Sequence, residues 1–461
     1  MSEQEGSKIQ NAAKTALKCV VLTPVGPGHQ ELMEVARGSV EAACRTSLGP
    51  FTEVSFVPLM DLEGAHGRSN RRNDGIRYAQ AMGFEWIYFL DADDLMAPDA
   101  FATVAPYVEK HDAIFGQITQ LMHETGVANV REGQLGFTTS LMDILRVDPF
   151  LSLPMGHFVR TRAAAAVRFD EEMDTGEDFK YYLEIWRQFR AVKLDRTIGF
   201  HRRGAHSTGP RSANGVQWRE SVARVFAEFC ERNSMDISFT RDGQQVKFHL
   251  GNPMDWIQRH FLAGTFFELK ELEYLRQIVP PRATILEVGA NIGNHLIYYG
   301  LFMKPRKIVP FEPNPKAIAQ LKANIALNQL KMVDLSQLGI GLGEAHGHFD
   351  VCDEDGSNLG AAGLRPSAEG RVEVFPLDAR YSGPVDFIKI DVEGMELEVL
   401  KGAEQLIVKA QPILFVEVTN ANEQAFYAWM KAHDYKALTV FANVNAKNHV
   451  IAPASHALHT A

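Results

Sequence analysis

The chain has 461 residues, enough for two or three domains at the ~150 residues that serve as a soft prior for one. Its 46% hydrophobic and 23% charged residues are those of a globular protein, which excludes a disordered or collagen-like chain. Residues 1–235 carry 26 Lys and Arg against 31 Asp and Glu and the remainder 21 against 26, so neither half is basic and a nucleic-acid partner held by phosphate contacts is disfavoured.

No apolar run approaches the roughly 18 residues needed to span a bilayer. Met1 to Lys14 lacks the apolar stretch of an export signal, so residues 1–16 are expected to be a disordered tail and the protein cytoplasmic. Four scattered cysteines without a CxxC pair agree with a reducing compartment.

Strand-like and helix-like segments then alternate, the pattern of α/β domains. Lys18–Pro24 reads as the first apolar strand. Gly67-Arg68-Ser69-Asn70-Arg71-Arg72-Asn73-Asp74-Gly75 starts a helix with a basic, amide-rich turn suited to a diphosphate. Gly83–Leu90 is a strand that runs straight into Asp91-Ala92-Asp93-Asp94. Three carboxylates so close repel one another, and a fold that gathers them neutralises them with a cation; oxygen-only donors suit Mg²⁺ or Mn²⁺. An acidic helix start is the competing explanation. Thr175-Gly176-Glu177-Asp178 opens a further helix through Tyr182, Ile185 and Trp186, and Phe200–Ser207 supplies His201 and His206.

This order of motifs resembles family 2 glycosyltransferases with the GT-A fold, over roughly Leu17–Phe229. The resemblance implies a metal-dependent, inverting sugar transfer from a nucleotide-sugar donor. In it Asp91 and Asp93 are the metal pair, with Asp91 also near the nucleotide, and His206, or His201 next to it in preference, completes the metal site. Asp178, or Glu177 beside it, is the base that deprotonates the acceptor. Thr23, Pro24, Arg68 and Arg72 line the nucleotide, and Asp61 meets its base. One departure is that Val57-Pro58-Leu59-Met60-Asp61 stands where the family has an acidic DDGS turn.

Trp218–Phe229 reads as helix, and Asp236–Leu250 alternates about Asp242-Gly243 as a hairpin. The domain boundary is expected near Arg232–Met235, giving domains of 17–234 and 235–461.

The second βα series begins with Leu286-Glu287-Val288-Gly289-Ala290-Asn291-Ile292-Gly293-Asn294, a strand, a tight turn and a helix start whose amides can meet a carboxylate or phosphate. Ile308–Pro315 then ends a strand in Glu312, an acid placed to accept ribose hydroxyls. A dinucleotide site wants GxGxxG, and Asn291 occupies its second glycine, so NAD or FAD fits poorly and S-adenosylmethionine better. Val385–Ile390 is a buried strand ending in Asp391-Val392-Glu393, with a helix after it carrying Met395, Val399, Ala403 and Leu406 on one face.

With Asn358–Ala362, Leu377-Asp378 and Ile413–Glu417, these segments resemble the FkbM family of S-adenosylmethionine-dependent methyltransferases, over roughly Asp236–Val450. Glu287 stands where the family usually has Asp. The resemblance implies a class I, Rossmann-like fold and methyl transfer to a sugar hydroxyl, with Glu287, Gly289, Asn291, Gly293, Glu312, Asn314 and Asp391 about the cofactor. Asp391, Glu393, His295 and Glu417 are candidates for the base, with Glu393 and His295 on the acceptor side. The expectation for the whole is a bifunctional enzyme of glycan biosynthesis acting on a glycan or lipid-linked acceptor. The alternative is a methyltransferase whose N-terminal domain only binds glycan.

Overall fold

The computed structural model describes residues 17–122, 124–203, 216–352, 363–443 and 445–456. The N-terminal tail, His206 and the Asn358–Ala362 motif lie outside the described residues. Two compact units divide the chain, 1–229 and 230–461, and the division falls inside the helix Val216–Asn233.

The first unit is built on a six-stranded sheet in the order Phe51–Met60, Leu17–Val25, Trp86–Phe89, His157–Arg160, Ala113–Phe115, Ala191–Lys193. The first three strands run parallel, His157–Arg160 lies antiparallel to both neighbours, and Ala113–Phe115 and Ala191–Lys193 resume the first direction, so the sheet is mainly parallel with one reversed strand. Trp86, Ile87, Tyr88 and Phe89 are fully buried, as a central strand covered on both faces requires. A second sheet pairs Leu95–Met96, Gly199–Arg203, Thr119–Met122 and Ala128–Val130. Asp91–Asp94 therefore forms a turn, closed by the Asp94 amide on the Asp91 carbonyl at 3.0 Å, and leads into a strand. The acidic helix start is excluded.

The second unit opens with the expected hairpin, Asp236–Arg241 against Gln244–His249. Asp242 and Gly243 both have positive φ, 47° and 74°, as a tight two-residue hairpin turn demands. Its main sheet has the order Lys307–Phe311, Thr284–Val288, Phe387–Ile390, Ile413–Thr419, Ala446–Pro453, Tyr435–Ala442. The first four strands are parallel and Ala446–Pro453 reverses direction. The helix expected after Met395 is two, Glu396–Gly402 and Glu404–Ala410. The break falls at Ala403, just after Gly402, where a Cβ would lie 2.0 Å from the Gly343 carbonyl oxygen. Val399, Leu400, Ala403 and Leu406 still pack on Leu286, Ile388 and Leu414 in one core. Both units are α/β, as expected.

Candidate functional site

Each unit has a cavity at the ends of its parallel strands, where an open α/β sheet offers a crevice to ligands. In the first unit it is a cleft of about 460 Å³. Asp91, Asp93 and Asp94 line it and can each bring a carboxylate oxygen within 4.8 Å of the other two. Burial, then the charges of Asp94 and Asp91, push Asp93 up to about 7. His201 Nδ1 lies 2.8 Å from Asp94 Oδ2, and Arg202 donates from Nε to the Asp93 carbonyl, so the strand Gly199–Arg203 holds the acidic turn in place. Burial works against charge on His201, and the Asp94 carboxylate outweighs it, leaving the imidazole above its ordinary value. The three acids have the hard oxygen donors that a divalent cation fits, and Arg72 and His201 offset only part of their charge.

Asp178 and Glu177 part company. The helix Glu177–Gln188 turns Asp178 into the cleft, while Glu177 is fully buried and takes Arg68 Nε at 2.7 Å and Arg72 Nη1 at 3.2 Å. Glu177 is therefore a counter-ion and not the alternative base. Arg72 also donates to Asp91 Oδ1 at 2.6 Å.

Two other expectations need correction. Thr23 is fully buried in its strand and leaves Pro24 to line the cleft. Asp61 reaches the rim, but its oxygens accept the amides of Gly67 at 2.8 Å and His66 at 3.1 Å. Those amides outweigh burial and hold Asp61 below the usual carboxylate range. It caps the turn before the helix Gly67–Ala81 rather than offering itself to a base. Arg131, Arg203, Phe150 and Trp218 also line the cleft; no motif in the sequence marks them.

The second unit's cavity is smaller, about 190 Å³. Gly289, Asn291 and Gly293 all have positive φ, so the turn after Thr284–Val288 doubles back on itself. A Cβ on Gly289 would sit 1.8 Å from the Asp391 carbonyl oxygen, which makes glycine obligatory there. Glu312 binds this loop to the next strand: its Oε2 accepts the Asn291 amide at 2.7 Å and its Oε1 the Asn314 amide at 2.8 Å. Each oxygen keeps a free lone pair at the cavity wall, and burial raises the carboxyl above its ordinary value. The Asn291 side-chain oxygen is buried and has no hydrogen-bond partner among the described residues. Val288, Phe311, Ile340, Leu342 and Met395 supply an apolar wall. A bare turn, a carboxylate with spare lone pairs and an apolar wall fit an adenosyl amino acid.

Asp391, Glu393 and Glu417 meet at the far side, each able to bring an oxygen within 4.8 Å of the others. Lys389, buried beneath them, lies 2.9 Å from Asp391 and donates to the Gly289 carbonyl at 2.7 Å. Burial would raise Asp391, but Lys389 and a hydrogen bond with Glu417 hold it below the carboxylate range. Glu417 moves the other way, raised by burial and by the Asp391 charge. Burial and the Asp391 charge also push Glu393 up to about 7.

Four expected contacts lie elsewhere. Glu287 is wholly buried in its strand, and among the described residues neither oxygen meets a donor in hydrogen-bonding geometry. Gly293 starts the helix Asn294–Tyr298 and leaves room for Leu321, whose Cδ1 would be 2.6 Å from a Cβ. Asn314 caps the helix Pro315–Leu327 through the Lys316 amide. His295 is buried behind Glu268, its Nε2 3.0 Å from Glu268 Oε2, and it is Glu268 that reaches the cavity. Asn448 holds the other Glu268 oxygen at 2.6 Å.

The chain matches the family model described as Glycosyl transferase family 2 over residues 57–172, and the Methyltransferase FkbM domain over residues 287–437. It is 29% identical over 143 residues to the minor teichoic acid biosynthesis protein GgaB of Bacillus subtilis (strain 168). That match covers 30% of this chain and only 15% of the relative's length. Among solved structures, S. aureus TarS 1-349 is similar over 47% of this chain and 65% of that one, at 15% identity and a TM-score of 0.34. The methyltransferase FkbM from Methylobacillus flagellatus KT is similar over 42% and 53%, at 20% identity and a TM-score of 0.28. The chain carries a glycosyl transferase family 2 domain followed by a methyltransferase FkbM domain.

Proposed function

We propose that the protein is a bifunctional enzyme of glycan biosynthesis, transferring a sugar in its first unit and O-methylating a sugar hydroxyl in its second. The observation that carries this is the repeated one: each unit gathers carboxylates at its strand ends around a cavity of ligand size. The curated relative's name, a teichoic acid biosynthesis protein, supports a polysaccharide or lipid-linked acceptor.

In the first unit Asp91 and Asp93, with Asp94 beside them, would hold Mn²⁺ or Mg²⁺. When bound, the ion supplies positive charge against the departing nucleoside diphosphate. Asp178 faces the cleft and takes the acceptor proton, which makes the transfer a single inverting displacement. Arg68 and Arg72 act through Glu177 and Asp91, fixing the helix that bears Asp178 relative to the acidic turn.

In the second unit Glu312 would accept the ribose hydroxyls of S-adenosylmethionine, and the Gly289–Asn291 turn and Asp391 would hold its amino-acid end. The cofactor supplies a methyl group on a sulfonium, so the protein's work is alignment and removal of a proton. Glu393, ionising near neutrality, takes the acceptor proton. Glu268, held by His295 and Asn448, and the Asp391–Glu417 pair complete an acidic wall that favours a cationic sulfonium.

Calorimetry with S-adenosylhomocysteine, with NADH, and with UDP or GDP plus Mn²⁺ tests the reading. S-adenosylhomocysteine and one nucleotide bind at separate sites and NADH does not. Binding of NADH in place of S-adenosylhomocysteine would refute the methyltransferase half.

A further inference from the structure

Six arginines line the first unit's cleft, and four of them are paired with a carboxylate or turned onto the carbonyls of the acidic turn. Arg68 and Arg72 face Glu177 and Asp91, and Arg71 lies 2.6 Å from Asp74. Arg202 turns its guanidinium onto the carbonyls of Asp93 and Ala92. The basic helix start read from the sequence as a diphosphate site is thus largely neutralised by the protein itself.

Arg131 and Arg203 are different. Both are half-buried, and among the described residues neither has a carboxylate within ion-pair distance. Arg131 follows the strand Ala128–Val130, and Arg203 ends the strand Gly199–Arg203, on the same face as His201 two residues earlier. They converge on one side chain: with its amide oxygen turned to them, Gln120 accepts from Arg131 Nη2 at 2.7 Å and Arg203 Nε at 3.3 Å. Arg131 Nη1 also donates to the Phe150 carbonyl at 2.5 Å. The two cations feel each other, since burial and the Arg203 charge lower Arg131 from its ordinary value. Arg203 also acts on His201, which holds Asp94, so the pair lies beside the acidic turn. Phe150 and Trp218, with ring centres 4.3 Å apart, form the adjoining wall.

Asp148 offsets part of the charge on Arg131, but two cations that meet at one amide oxygen are further stabilised by an anion, and guanidinium forks match a tetrahedral oxyanion with several acceptors. We propose that Arg131 and Arg203, positioned by Gln120, form a phosphate-binding subsite of this cleft. It takes a phosphate group of a substrate, either the diphosphate of the nucleotide-sugar donor or a phosphodiester in the acceptor chain. The naming of those substrates rests on the glycosyl transfer proposed above; the recognition of phosphate does not.

The test measures binding to the full chain by calorimetry, using UDP and GDP with Mn²⁺, inorganic pyrophosphate, and a short poly(glycerol phosphate). Arg131→Gln, Arg203→Gln and Arg203→Lys are compared with the unaltered chain, and unchanged S-adenosylhomocysteine affinity and circular dichroism show that each variant is folded. Each Gln variant weakens at least one phosphate probe by about tenfold or more, the size expected of a lost charge-assisted hydrogen bond. Arg203→Lys recovers part of that loss. Weakening of the nucleotides and pyrophosphate assigns the subsite to the donor; weakening of the polyol phosphate alone assigns it to the acceptor. Affinities within twofold of the unaltered chain for every probe, or no probe bound by that chain, overturn the subsite. Loss of phosphate binding in the variants of a chain that transfers no sugar would uphold the subsite and refute the glycosyl transfer.

Discussion

Arg72 and Glu177 are buried together, Nη1 to Oε1 at 3.2 Å, and tie the helix Gly67–Ala81 to the helix that carries Asp178. Removing one member of a buried ion pair leaves the other charged and unsolvated, at a cost of about 3–5 kcal/mol. Glu177→Ala therefore lowers the unfolding free energy of the first unit by that order in urea titrations. Asp178→Ala changes stability little and abolishes sugar transfer. If Glu177→Ala keeps full stability, the counter-ion role is wrong.

Gly289 is held bare by the Asp391 carbonyl. Gly289→Ala combines a backbone clash with a positive φ, each worth on the order of 1–3 kcal/mol. S-adenosylhomocysteine affinity and the stability of the second unit fall together, while Mn²⁺ and nucleotide binding stay as they were. Normal S-adenosylhomocysteine affinity in this variant would remove the turn from the cofactor site.

Glu287 gives the second unit a pH dependence. Burial pushes its carboxyl up from 4.5 to about 8. Between those values the folded chain keeps a proton that the unfolded chain releases, so stability is full at acid pH and falls as pH rises through the window. The slope from this one group is at most about 1.4 kcal/mol per pH unit. Glu287→Gln keeps the shape and flattens the curve between pH 5 and 8. Identical curves for the two proteins would show that the carboxyl is not desolvated.

The acidic turn gives a metal test that needs no substrate. Mn²⁺ at a hundred times its dissociation constant stabilises the first unit by about 2.7 kcal/mol. Asp93→Asn and Asp91→Asn each remove most of that gain while leaving the second unit's melting unchanged. A gain that survives both substitutions places the ion elsewhere.

The strand ends were legible because a short apolar run stopping at acids has few other uses: Trp86–Phe89 before Asp91, and Phe387–Ile390 before Asp391, landed at their cavities. Helix phase was not legible. Glu177 and Asp178 are adjacent acids, and only the packing of Arg68 and Arg72 decides which of them turns away. Glu268 carries no motif; it precedes the helix Leu269–Ile278 with φ at 54° and reaches the cavity from outside the main βα series. His295 sits on the helix after the glycine turn and so looked like an acceptor-side group, yet its ring is buried behind Glu268. Arg131 and Arg203 come from separate strands whose neighbourhood is set by the pairing of Thr119–Met122 with both Ala128–Val130 and Gly199–Arg203.

The account stands or falls on two independent transfers in one chain. The direct measurement incubates the protein with Mn²⁺, radiolabelled sugar nucleotides and methyl-labelled S-adenosylmethionine across oligosaccharide, polyol-phosphate and lipid-linked acceptors. The unaltered chain incorporates both labels, Asp93→Ala loses only the sugar label, and Glu312→Ala loses only the methyl label. Incorporation of neither label on any acceptor, or loss of both from either single substitution in a folded protein, would contradict it.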